Sequence, residues 1–144
     1  MEHPTKHIFE QKVYYSDTDA YGVVWHGSYL RWLEMGRIEF GEKIGPNLIE
    51  LQEQNIALPV VNINVRYKSS ARLNDEIIIE TSIQKLSSLS VIFEQKISSK
   101  QTGKTFIEAT VDVVAIDNNG KLYRKMPQIL FDAFEKAMKE ETCV

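Results

Sequence analysis

One long interior stretch of the chain has helical periodicity, and most of the chain beyond it alternates like strand. From Gly27 to about Ile44, Tyr29, Leu30, Leu33, Gly36, Phe40 and Ile44 fall at i, i+3 and i+4 type spacings. Gly45-Pro46 ends this stretch, because proline cannot donate to the helical ladder and pushes its predecessor out of the helical region. From Val60 the period becomes two: Val61, Ile63, Val65 and Tyr67 alternate with Asn62, Asn64 and Arg66, giving one apolar and one polar face. Strand-like runs follow at 76–85, 90–98 and 105–117, separated by polar turns such as Gln101-Thr102-Gly103-Lys104. Strands joined by short turns make an antiparallel sheet, and a long helix with an apolar stripe must bury it against that sheet. The expected class is therefore α+β.

The remaining elements fit around this frame. Residues 7–15 place Phe9, Val13 and Tyr15 on one face and Glu10 and Lys12 on the other, which predicts a first strand. A short helical turn is expected at 48–52 and a tight hairpin turn at Asn119-Gly120. Pro127 suits a first helical position, and Leu130, Phe131, Phe134 and Met138 form the apolar stripe of a closing helix at about 127–141. With 144 residues, 43% of them hydrophobic, the chain has the size of one domain spanning 1–144, its core at about 7–124.

Charge and cysteine content exclude several classes. Seventeen basic and 20 acidic residues give a net charge of −3 without blocks of one sign, so no nucleic-acid or membrane footprint is expected. Cys143, the only cysteine, rules out an internal disulfide framework or a thiolate metal site and suits a reducing compartment. No apolar run has the length of a signal peptide or membrane span, so a cytoplasmic location is expected.

Chemistry concentrates in Tyr14-Tyr15-Ser16-Asp17-Thr18-Asp19-Ala20-Tyr21-Gly22-Val23-Val24-Trp25-His26-Gly27, between the first strand and the long helix. Asp17-x-Asp19 with Gly22 copies the opening of a calcium loop, but Tyr21 and Ser28 stand at its fifth and twelfth positions, and calcium is rejected. His3, His7 and His26 lack paired zinc spacing, so no metal is expected. Nucleophile-elbow, phosphate-loop and dinucleotide motifs are all missing from the sequence. Asp17 is expected to cap the helix start region, whereas Asp19 is held back as a candidate catalytic carboxylate.

Tyr14-Tyr15-x-Asp17-Thr18-Asp19-x-x-Gly22-Val23-Val24-x-His26-x-x-Tyr29, followed by Glu34 and Arg37, resembles the signature of the 4-hydroxybenzoyl-CoA thioesterase family, in its acyl-CoA thioesterase branch. The resemblance implies a hot-dog fold, a five- to six-stranded antiparallel sheet wrapped around one long helix. It implies catalytic roles for Asp19, His26 and Tyr15, and no cofactor beyond the coenzyme A of the substrate. Free amides around Trp25, His26 and Gly27 are expected to face the thioester oxyanion. Family members pair and build sites across the dimer interface, so a dimer at minimum and a tetramer of dimers are expected. Asn64 is then a candidate contact to a neighbouring subunit's site.

Two departures from the family pattern bear on substrate. Tyr21 stands where a small residue is common and Trp25 where tyrosine or phenylalanine is frequent, which predicts a shortened or flattened acyl pocket. Ser87-Ser88-Leu89-Ser90 replaces an arginine and glycine often found in relatives, leaving Lys68 and Arg72, with Ser90, as candidate contacts to coenzyme A. The expected activity is hydrolysis of an acyl-CoA thioester. An acyl carrier protein as carrier, a non-catalytic acyl-thioester sensor and, third, a hot-dog dehydratase are the alternatives; retention of Asp19 with His26 argues against the sensor, and the dehydratase spacing is not evident.

Overall fold

The computed structural model of the protein describes residues 6–140; the expectations for His3 and Cys143 lie outside the described residues. The elements are β1 (Lys6–Lys12), α1 (His26–Ile44), α2 (Leu48–Glu53), β2 (Val60–Tyr67), β3 (Glu76–Leu86), β4 (Ser90–Ser99), β5 (Thr105–Val114) and α3 (Gln128–Glu140). The five strands form one antiparallel sheet in the order β1-β3-β4-β5-β2, with α1 laid across it as in a hot-dog fold.

Helix α1 can approach the sheet closely because Gly36 has no side chain. A Cβ there would stand 2.9 Å from Thr81 Oγ1 and 3.0 Å from Ile79 Cγ2. At the same contact the buried Gln95 donates from Nε2 to the Leu33 carbonyl (2.9 Å) and to Thr81 Oγ1 (2.8 Å), so a polar bolt joins helix to sheet inside the core. Apolar packing flanks it on both sides. Val13, Tyr29, Trp32, Leu33, Ile77, Ile97 and Ile107 fill the end nearest the start of α1, while Phe40, Phe93, Val111, Leu130 and Phe134 fill the other under α3.

Several boundaries differ from the sequence expectation. The first strand ends at Lys12 rather than residue 15, and His7, Phe9 and Val13 share its inner side. Tyr15 starts a 3-10 turn (Tyr15–Asp17) and is 81% exposed, because the chain must turn there to reach α1. In α1, Leu30 is exposed while Trp32 is fully buried, since the helix meets the sheet on the Tyr29–Leu33–Gly36 side. The last strand stops at Val114; Ile116 makes isolated bridges to Ala57 and, around the Asp117–Lys121 turn, to Leu122, and Gly120 supplies φ +81° in that turn. Pro127 precedes α3 rather than opening it, and its carbonyl accepts from the Leu130 and Phe131 amides.

Strand β2 lies at the sheet edge, with Val60, Val61, Ile63 and Tyr67 all at least 40% exposed. The expected strict alternation is broken, since the register with β5 shifts between Val60 and Asn62, and all its residues but Val65 are exposed, because no other described element covers this edge.

Candidate active site

The segment before α1 folds into a small ribbon. The Trp25 amide donates to the Asp17 carbonyl (3.0 Å), the Asp19 amide donates to the Val23 carbonyl (2.8 Å), and Gly22 takes φ +76° at the tip. The ribbon's second limb pairs in turn with 71–73: the Val24 amide donates to the Ala71 carbonyl and the Leu73 amide to the Gly22 carbonyl. Tyr29 fastens α1 to the same segment, its hydroxyl accepting from the Ala71 amide at 2.8 Å. Burial holds the Tyr29 phenol above its ordinary pKa, with that hydrogen bond acting in the opposite direction.

Asp17 and Asp19 differ in what surrounds them. Asp17 is buried, accepts from the Tyr14 amide at 2.9 Å and is ion-paired with Arg31 one turn into α1. Its carbonyl also receives the Ser28 hydroxyl at 3.1 Å; the Asp17 carboxylate thus caps the 3-10 turn rather than α1, whose N-cap Trp25 has no side-chain cap. Asp19 sits exposed on the ribbon opposite Val23. Its Oδ1 accepts from the Tyr21 amide (2.8 Å) and distantly from Val23 (3.4 Å), while Oδ2 has no partner among the described residues. The side chain is thus oriented from behind, with one carboxylate oxygen uncommitted.

The start of α1 lies directly beyond. Trp25 is its N-cap without a side-chain cap, and the amides of His26 and Gly27 have no acceptor among the described residues. These two donors, at the positive end of a 19-residue helix, form an anion-binding position. The Trp25 amide, expected to join them, is spent on Asp17. A Cβ built at Gly27 would overlap the Trp25 indole, so the ring lies against the glycine beside the free amides. Gly27→Ala is therefore expected to push the indole into solvent and red-shift tryptophan emission, Trp32 remaining buried; an unshifted spectrum would show that the ring does not rest there.

The other expected residues are distributed unevenly. The His26 ring stands edge-on to Tyr67 at 5.9 Å between centroids, and Arg72 pairs through its backbone with Val23, so both belong to this end of the sheet. Lys68 is here too, but its ammonium is paired with Glu108 at 3.2 Å. Tyr21, at the ribbon tip, is 86% exposed. Asn64 pairs with Thr110 on the sheet face turned away from α1, beside a polar groove that also includes Arg66 and Glu108. Ser90 opens β4 at the opposite end, where it bonds Ser87 and pairs with Val114. Sequence reasoning singled out neither Arg31, whose only signal was its place on α1 above Asp17, nor the 360 Å³ cavity beside the second half of α1, lined by Arg37, Ile38, Gly41, Leu51, Val60 and Phe93 among others.

A hot-dog fold that carries an oriented carboxylate and unfilled helix-start amides on one segment points to a thioesterase-like protein. Residues 13–138 match the family model of the thioesterase-like superfamily, and the chain belongs to that family. It is 33% identical over 110 residues to the acyl-CoA thioesterase YbgC of Haemophilus influenzae, covering 76% of this chain and 79% of that one. It is also 33% identical over 125 residues to the acyl-CoA thioester hydrolase YbgC of Escherichia coli, covering 87% and 92%. Among solved structures, the DHNA-CoA thioesterase of Staphylococcus aureus superposes with a TM-score of 0.84 at 26% identity, covering 96% of each chain.

Proposed function

We propose that the protein hydrolyses an acyl-CoA thioester to the free acid and coenzyme A in the cytoplasm, without a metal or added cofactor. The observation that carries this reading is that one short segment, 19–27, holds both a carboxylate whose Oδ2 is uncommitted among the described residues, that of Asp19, and the free amides of His26 and Gly27. The amides receive the carbonyl oxygen as it becomes an oxyanion, and the carboxylate supplies the base or the nucleophile. In the first route water adds to the carbonyl carbon as Asp19 takes its proton, and the tetrahedral intermediate collapses to the acid by expelling the coenzyme A thiolate, which is released protonated; in the second Asp19 adds directly, the thiolate leaves a mixed anhydride, and water hydrolyses that anhydride to the acid and the regenerated Asp19 carboxylate. Incorporation of labelled solvent oxygen into Asp19 in a single turnover identifies the second route, through attack of water on the Asp19 carbonyl of the anhydride. His26 and Tyr15 flank the site at this end, His26 to orient water or the leaving thiol.

One chain leaves the site open. A second copy related by a two-fold axis pairs β2 with β2 in antiparallel fashion, covers the bare apolar edge, and sets the Val60 end of one chain beside the Tyr67 end of the other. The cavity next to Val60 then adjoins the partner copy's Asp19 ribbon, so the functional unit is at least a dimer and, if dimers associate, a tetramer. The same pairing carries Tyr21 from solvent to an acyl pocket. Tyr21→Gly is therefore expected to raise kcat/KM for longer acyl groups relative to shorter ones; an unchanged chain-length profile would place Tyr21 elsewhere.

The test is thiol release from a panel of aliphatic and aromatic acyl-CoA esters, with acyl carrier protein esters alongside. Release from the coenzyme A esters supports the proposal. Release only from carrier-protein esters moves the substrate to that carrier, and binding without release makes the protein a sensor.

A further inference from the structure

The cavity beside the second half of α1 is lined mostly by apolar residues, with Arg37, Glu34, Glu42 and Asn47 as its polar members. Arg37 is half-buried, and its one hydrogen bond among the described residues is from Nη1 to Oε1 of the buried Gln95 at 3.0 Å. No carboxylate stands within ion-pair distance among the described residues; Glu34 and Glu42, which also line the cavity, are exposed. Desolvation lowers the pKa of its guanidinium, partly offset by Glu34, yet the group remains charged at neutral pH. A guanidinium offers five donors in a fixed fork, and a partly desolvated one with a single acceptor is costly unless something else accepts from it. Gln95 cannot turn to serve it further, because its amide nitrogen is held by Leu33 and Thr81.

We propose that this cavity binds an acyl group bearing a second oxygen acceptor, carboxylate or carbonyl, remote from the thioester, and that Arg37 is its anchor and so a specificity-determining residue. This rests on the proposed acyl-CoA reading. The volume of 360 Å³ has room for about a dozen non-hydrogen atoms at the ~30 Å³ that a water occupies in the liquid, enough for a six-carbon chain with a terminal polar group. Apolar walls formed by Ile38, Leu51 and Phe93 take the methylene body, and the fork takes the oxygen.

The test separates binding from catalysis by using non-hydrolysable thioethers: hexyl-CoA, 5-carboxypentyl-CoA and 5-oxohexyl-CoA, titrated calorimetrically into the wild type, Arg37→Met and Arg37→Lys. The wild type is expected to bind at least one oxygenated ligand roughly tenfold or more tighter than hexyl-CoA. That ratio should collapse in Arg37→Met and be partly restored in Arg37→Lys, with thermal melts showing that both variants fold. The carboxylate being preferred identifies a diacid-derived acyl group; the ketone being preferred shows that Glu34 and Glu42 repel an anion. Equal or better binding of hexyl-CoA by the wild type overturns the proposal, as does a preference that survives in Arg37→Met. Thiol release from the matching thioesters is scored separately: release without the preference retains the hydrolase and discards the anchor, and the preference without release does the reverse.

Discussion

Asp19→Asn is expected to keep the fold and assembly of the parent protein and lose roughly two or more orders of magnitude in turnover. Asparagine retains an oxygen for the Tyr21 and Val23 amides, so the ribbon that Asp19 orients stays formed. What disappears is the charged, uncommitted oxygen, without which the side chain can neither take a proton from water nor attack a carbonyl. Thiol release measured beside a thermal melt checks both halves. Near-normal turnover in the folded variant would remove Asp19 from the mechanism, whereas lost turnover with a lowered melting temperature would indicate a structural role instead.

Trp32→Ala is expected to cost about 3–5 kcal/mol of stability, the range for emptying a large buried aromatic site. Trp32 is wholly inaccessible, meets Tyr29 edge-on at 5.7 Å, and carries the Arg31 guanidinium 5.9 Å from its ring. Its indole N–H has no partner among the described residues, so truncation orphans no hydrogen bond there and the loss comes from packing and the cavity left behind. Because Trp32 and Tyr29 together seat the start of α1, loosening should spread to the His26 and Gly27 amides and lower turnover as well. Urea denaturation at fixed protein concentration measures the stability, that condition being needed wherever folding is coupled to assembly. A loss under about 1 kcal/mol would mean that the space collapses around the smaller side chain.

These two residues mark how far the sequence could be read. Asp19 was legible because it sits in a dense polar motif between a strand and a helix, and neither its spacing nor its resemblance depends on packing. Trp32 was not, because Leu30 fits the same helical stripe and only the contact with the sheet decides which of the two is inside. The same ambiguity stretched the first strand through Tyr15. Alternation continues past Lys12, but the buried Asp17 carboxylate accepts the Tyr14 amide and turns the chain.

Sequence alone determined the element order, the α+β class, the helix stop at Gly45-Pro46 and the identity of the candidate carboxylate. Each follows from local rules: side-chain period, backbone restrictions at proline and the chemistry of individual groups. Tertiary structure decided which amides at the helix start are free, that Ser90 stands at the far end of the sheet from Asp19, and that Arg37 lies against an apolar cavity with one acceptor. Those facts depend on residues tens of positions apart meeting, and no local period records such meetings, because the burial that brings them together is a property of the whole packed sheet and helix.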